Sequence, residues 1–341
     1  MKKILSKIVI VLLILGGIVG FVGYKYLLAS NVKTNSDSPV YFDIYSDQGY
    51  NSVMENLELT GVIQNMTSLK LAAKLLGYQD KVKAGRYELT DGLSSLKLIQ
   101  KLRSGRQTPV RFTFNNIRTK DQFAQRVDEV LMMSKEEFLE ELDSQETLNK
   151  YGLTKENNIA IFIPNTYEFY WNITPKEFIE KMNKEYEKFW TADRQKKLAD
   201  CQLTRLEVST LASIVEEETI KNDERPKVAG LYLNRLRIGM MLQADPTVKF
   251  ALGDFSIKRV TGAGFVDSPY NTYKYAGLPP GPIRIPCTGG IDAVLNYEHH
   301  DYLFMCAKRD FSGYHDFSTT FDEHQNNAHK YHKELDKKGI K

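Results

Sequence analysis

The chain has 341 residues, 42% hydrophobic and 26% charged, with a formal net charge of +3. It is long enough for two or three domains and apolar enough for sizeable cores. The small charge and the absence of any Arg- or Lys-rich run exclude a nucleic-acid footprint. Three widely spaced cysteines, Cys201, Cys287 and Cys306, exclude a disulfide framework. A Cys287–Cys306 bridge stays open in an oxidising compartment, although three buried thiols are the preferred reading.

The first 28 residues, MKKILSKIVIVLLILGGIVGFVGYKYLL, carry Lys2, Lys3 and Lys7 and then no charge from Ile8 to Tyr24. Leu27 and Leu28 can extend this run past Lys25, which makes residues 8–28 a candidate single-pass membrane anchor. The lysines before it favour a cytoplasmic N-terminus, residues 1–7, with everything after the span extracytoplasmic. A cleaved signal peptide is the rival. It is disfavoured because the run is long and no A-x-A-like site follows. Residues 29–40, ASNVKTNSDSPV, are polar and read as a linker.

VYFDIYS then alternates like a strand. QGYNSVMENLELTG and SLKLAAKLLGY read as amphipathic helices, and KAGRYELTDG as a strand with a turn. LSSLKLIQKLRSG is a helix stopped by Gly105, and TPVRFTFNN a further strand. Together they predict a small α+β module over 41–112. A helical connecting region follows over 113–200, with KDQFAQRVDEVL, SKEEFLEELDS and TPKEFIEKMNKEYEKFW as its helices. IFIPNTYEFYW interrupts it, because Pro164 prevents a continuous helix. Over 201–341 helices alternate with Gly/Pro-rich loops. The fold class expected is therefore α+β, with a mainly helical last domain containing short strands.

LASIVEEETIKNDERP places three glutamates in a row after an apolar run. Stepping about 100° per residue along a helix from Thr204 to Thr219 puts Val208, Leu211, Ile214 and Val215 on one stripe. Glu216 and Glu217 then point away as solvated charges, whereas Glu218 continues the stripe. A carboxyl group held out of water stays protonated to higher pH, as a general acid requires. The same position also fits a frayed helix end, or an ion pair with Arg225 or Arg235. NDERPKVAGLYLNRLRIG reads as a second helix with an Asn/Asp cap and Pro226 in its first turn. MMLQADPTVKFALG turns through Asp245–Pro246 into a short helix. SPYNTYKYAGLPPGPI is a loop whose tyrosines and amides suit sugar rings and hydroxyls.

The run from Ser213 to Thr247, with YNTYKYAGLPPGPI and GYHDFSTTFDEH after it, resembles the YceG-like family of membrane-anchored endolytic murein transglycosylases. The resemblance implies an anchor, a LysM-like module around KAGRYEL, and a catalytic domain that cleaves MurNAc–GlcNAc bonds within peptidoglycan strands. It implies 1,6-anhydroMurNAc ends and a catalytic glutamate just before the motif's threonine, here Glu218 before Thr219. It makes Asn234, Gln243, Asp245, Tyr270, Asn271 and His315 candidate substrate-binding residues. Asp245 could equally cap the helix after it. Glycan strands and the membrane are the implied partners, with peptidoglycan synthases as candidates. Two departures stand out: Asn165 replaces the usual Asp of the family's FPDTY segment, and Gln325 replaces an Asn after His324.

No cofactor is expected. His324, His329 and His332 share one helix, but their spacing scatters the rings and no acidic or Cys ligand joins them, so no metal is expected either. Two other functions compete. A membrane-tethered peptidoglycan-binding scaffold would need no carboxylate on an apolar stripe. A hydrolase would need a second carboxylate facing Glu218, for which Asp245 is the best candidate.

Overall fold

The computed structural model describes residues 38–257 and 265–338, together with 10, 12–17, 20, 21, 23–34, 260 and 262. Of the expected anchor, residues 8, 9, 11, 18, 19 and 22 lie outside this set. The described ones are helical, and among the described residues no helix is long and apolar enough to cross a membrane. The chain divides into two units. One comprises residues 1–112, 130–132 and 168–173; the other comprises 113–129, 133–167 and 174–341.

In the first unit, β1 (Tyr41–Ile44) pairs antiparallel with β2 (Gly85–Glu88), Phe42 opposite Tyr87. The alternation of VYFDI turns Phe42 and Ile44 inward. On the other face Asp43 meets Arg86 at 2.7 Å. Three helices close the core: α1 (Tyr50–Leu59), α2 (Met66–Leu75) and α3 (Ser95–Ser104). Leu57, Leu69, Tyr78, Leu98 and Leu102 are fully buried there. The side chains of Asn65 and Ser94 cap α2 and α3, and Gly105 ends α3 at φ +72°.

Residues expected as linker belong to this core. Val32 is fully buried, and the Asn31 amide donates to Asn65 O and Ser95 Oγ while its Oδ1 accepts from Asn65 N. The backbone amides of Asn31 and Val32 both donate to Leu93 O. A short polar run can be buried this way because each of its polar groups finds a partner.

In sequence order, β3 (Val110–Thr113) and β4 (Thr166–Phe169) form a second two-stranded pair. Val110–Phe112 and Glu168–Phe169 fall to the first unit and the remainder to the second.

The second unit takes in both the connecting region and the last domain expected as separate. Its first helices are α4 (Lys120–Val130, all but its last residue), α5 (Lys135–Leu142), α6 (Gln145–Tyr151) and α7 (Pro175–Phe189). Phe123, Phe138, Phe162 and Phe178 pack ring against ring between them, with centroids 4.5–6.5 Å apart. Helix α8 (Ala192–Cys201) leads to α9 (Arg205–Glu218), opened by a Thr204–Glu207 capping box. Around α9 stand α10 (Arg225–Arg237), α11 (Asp245–Leu252) and α12 (Thr288–Leu295). A hairpin of β5 (Phe304–Ala307) and β6 (His315–Ser318) follows, Ala307 opposite His315, and α13 (Phe321–Lys337) closes the chain.

Helix α9 departs from the single-stripe expectation. Every residue from Val208 to Glu216 is buried. Polar residues tolerate this because Ser209, Thr210 and Ser213 donate their hydroxyls back to Arg205 O, Leu206 O and Thr210 O. Glu216 and Glu217 are therefore not solvated, contrary to expectation. Glu216 is 5% exposed, accepts from Cys287 N at 2.8 Å and pairs with Arg284 at 3.3 Å. Glu217 pairs with Arg284 at 2.8 Å and Arg118 at 3.1 Å. The Gly/Pro-rich loop delivers Arg284. Gly281 within it lies so close to Glu156 O that an added Cβ would collide at 1.9 Å. All three cysteines are free thiols; Cys201 is buried, while Cys287 and Cys306 are only half-buried.

Candidate active site

Glu218 is the last residue of α9 and borders a cavity of about 240 Å³. The helix end is tied rather than frayed. Thr219 is 3% exposed and its hydroxyl donates to Glu224 Oε2 at 2.9 Å. Neither arginine offered by the sequence pairs with Glu218. Arg225 turns to Thr219 O and Cys287 Sγ, and Arg235 donates to Leu303 O and Leu242 O. Glu218 instead accepts from the Tyr232 hydroxyl, at Oε1 and 2.9 Å.

Burial pushes the Glu218 carboxyl up from its ordinary 4.5 to about 7. Asp245 adds to this by like-charge repulsion; the Tyr232 hydrogen bond, His315 and Lys249 pull the other way. Burial and the neighbouring Glu218 hold the Tyr232 phenol far above its usual range, so it remains a donor. Arg235, 8% exposed, is a desolvated cation spent on backbone carbonyls, and burial lowers its pKa.

Of the residues proposed from sequence, Glu218, Gln243, Asp245 and His315 line this cavity. Gln243 sits there in the left-handed region at φ +50°. Asp245 does not cap α11; it accepts from the Tyr273 hydroxyl at 2.6 Å. His315 is held by the buried Glu224, to which its backbone N–H donates at 2.7 Å and its Nδ1 at 2.9 Å. That leaves Nε2 as the free ring nitrogen.

Asn234, Tyr270 and Asn271 are not brought to the cavity. Asn234 donates to His300 O and Tyr302 O, joining α10 to the segment before the hairpin. Tyr270 packs against Phe250 with ring centroids 4.7 Å apart and donates to Glu156 O. Asn271 is fully buried; it donates to Val266 O and accepts from Tyr273 N, shaping the loop that presents Tyr273. His324 stacks on Phe304 at 5.5 Å and does not line the cavity.

Sequence reasoning missed Tyr232, Tyr273 and Glu224. Tyr232 and Arg235 are one turn apart on α10, so a helical wheel of the second helix would have put both toward Glu218. Glu224 was passed over because the cap of that helix was expected at the Asn/Asp pair before it. In the structure it occupies the cap position without capping, because its carboxylate serves Thr219 and His315. The hairpin had no legible signal, since FMCAKRDFSGYHDFS lacks clean alternation. It supplies Met305, Cys306 and Ala307 to the cavity wall.

The arrangement is a protonatable carboxyl in a walled recess, with one phenolic donor upon it and a second carboxylate, Asp245, engaged by Tyr273. It can give a proton to a leaving oxygen and take one back.

Comparison with known proteins agrees with this geometry. Residues 42–330 match the YceG-like family. The chain is 29% identical to a Bacillus subtilis protein named endolytic murein transglycosylase, over 94% of this chain and 91% of that one. It is 28% identical to a Streptococcus pneumoniae protein of the same name, over 89% of this chain and 60% of that one. The crystal structure of a yceG-like protein from Listeria monocytogenes superposes with a TM-score of 0.56 at 28% identity, covering 85% of this chain and 99% of that one. With the match running through both units and across the Glu218 cavity, the chain belongs to the YceG-like family.

Proposed function

We propose that this chain is an endolytic peptidoglycan lytic transglycosylase in which Glu218 is both acid and base. The relatives' shared name supports the reaction class. The observation that carries the assignment of Glu218 is its carboxyl, held near pKa 7 in the cavity. Protonated Glu218 gives its proton to the glycosidic oxygen of a MurNAc–GlcNAc bond as the bond from that oxygen to MurNAc C1 breaks. The C6 hydroxyl of the same MurNAc attacks C1, and the Glu218 carboxylate takes that hydroxyl's proton. A 1,6-anhydroMurNAc end forms, no water is consumed, and the acid is restored. Intramolecular attack gains the proximity advantage of a tethered nucleophile. Tyr232 keeps the carboxylate oriented and stabilised between the two proton transfers.

Residues 8–28 anchor the protein once through the membrane, with residues 1–7 cytoplasmic and everything after the span outside. The 41–112 module is LysM-like and sits between anchor and catalytic domain. Gln243, Asp245 and His315 contact the glycan.

Asp245, in the same cavity as Glu218, favours a hydrolase as the second reading. Mass analysis of glycans released by the purified protein separates the two. Lytic ends are about 18 mass units lighter than hydrolytic ends, because ring closure replaces the addition of water. Reducing-end MurNAc as the main product defeats the transglycosylase reading. Release of no product at all leaves the scaffold.

A further inference from the structure

The β5–β6 hairpin lines two cavities. Residues of β5 wall the Glu218 cavity, and residues of β6 wall a second one of about 310 Å³. His315 borders both. The second cavity carries three half-buried rings, Tyr302, Tyr314 and Phe317. Phe317 packs against Tyr302 at 5.6 Å. The Tyr314 hydroxyl donates to Asp223 at 3.0 Å, and Lys221 lies 4.9 Å from its ring centroid. These contacts fix the rings in place before any ligand arrives. Acids and lysines are both present, so the cavity has no single charge that would select a charged ligand. Fixed, partly exposed aromatic rings beside hydroxyl and carboxylate groups suit the apolar face and hydroxyls of a pyranose ring. The Glu224 clamp on Nδ1 leaves Nε2 of His315 available at the border of the two cavities.

We propose that this second cavity is a glycan subsite, taking sugars further along the strand whose scissile bond lies at Glu218. The proposal rests on the transglycosylase reading above. A strand seated in both cavities is held at more than its cut end, as cleavage within a strand requires. Tyr314 is then a specificity-determining residue for strand length, acting without touching the reacting atoms.

The test compares kcat/KM on peptide-free strands of eight and of four alternating sugars, for wild type, Tyr314→Ala and Tyr314→Phe. Tyr314→Ala should lower the preference for the longer strand about 5–10-fold, the scale of one lost ring contact, while Tyr314→Phe keeps it. Tyr302→Ala provides an independent second variant in case Tyr314→Ala folds poorly. An equal loss on both lengths, or no loss on either, overturns the proposal. So does a loss seen only with strands that carry stem peptides. Binding of the same strands to Glu218→Gln, with and without Tyr314→Ala, distinguishes the two failures. If Tyr314→Ala weakens binding of the longer strand while wild type releases no anhydro ends, the reaction is wrong and the subsite stands. If anhydro ends form and Tyr314→Ala changes neither length preference nor binding, the subsite is wrong and the reaction stands.

Discussion

Three adjacent glutamates sit in three different settings, and Glu218 and Glu216 predict different phenotypes. Glu218→Gln keeps the shape and removes the transferable proton, so turnover should fall by about 10²–10⁴-fold or more. It should also change stability. The folded carboxyl holds its proton up to about pH 7, whereas the unfolded one releases it near 4.5. Wild type therefore loses stability as pH rises through that window and carries the full penalty above it. Melting at several pH values should show the Gln variant level with wild type near about pH 4 and more stable by up to about 3 kcal/mol near about pH 8. A constant gap across pH would contradict the raised carboxyl. Tyr232→Phe removes a hydrogen bond that favours the ionised form. The alkaline limb of its kcat/KM profile, set by loss of the acid, should move above that of wild type; a limb moved downward refutes the assigned role. Glu216→Gln should fail differently, by about 1–3 kcal/mol of stability, because it takes one of two carboxylates from half-buried Arg284 at a position that is itself buried. Its midpoint in urea is the measurement, and a wild-type midpoint is the contrary result.

At the scale of elements, helix ends were readable and helix surroundings were not. Thr204 with Glu207, Ser94, Gly105 and Pro226 mark their boundaries through local hydrogen bonds and backbone preferences that any sequence carries. The burial of α9 on all sides is a tertiary fact. Its serines and threonines look like a solvent face, yet they satisfy themselves on the helix backbone, so periodicity points to one stripe where the helix has several neighbours. The same gap hid residues 31 and 32, polar-flanked in sequence and buried in place. Removing residues 1–28 should leave the first unit folded. Removing 1–33 should destabilise it, and Asn31→Ala alone should cost about 1–3 kcal/mol through the partners it strands. Thermal melting of the three variants tests this; equal midpoints would show that the segment is a linker after all.

For the molecule as a whole, the family's motif is nearly contiguous in sequence while the cavity is not. Glu218 could be placed at the cavity wall because the motif and the wheel pointed to the same residue, although α9 is buried well beyond the one stripe that the wheel drew. The cavity also draws on Tyr232, on Gln243 and Asp245, on Tyr273 and on the hairpin as far as His315, segments well apart in the chain. No spacing rule links them, and Asn234, Tyr270 and Asn271, which looked like sugar ligands, instead hold those segments together. Activity should survive exhaustive EDTA treatment, since the proposed steps use side chains alone; loss on chelation with recovery on adding zinc would overturn that proposal.

The depth of α9 has a consequence for how the protein fails. A helix buried without a break from Val208 to Glu216 cannot open there one turn at a time, so the amides of that stretch should exchange with solvent only when the second unit unfolds globally. Glu218 sits at the end of that helix, and its next residue is pinned by Glu224. Catalytic geometry should therefore persist until the cooperative transition itself. Residual activity on heating should follow the melting curve of the second unit, with no inactivated but still folded state preceding it.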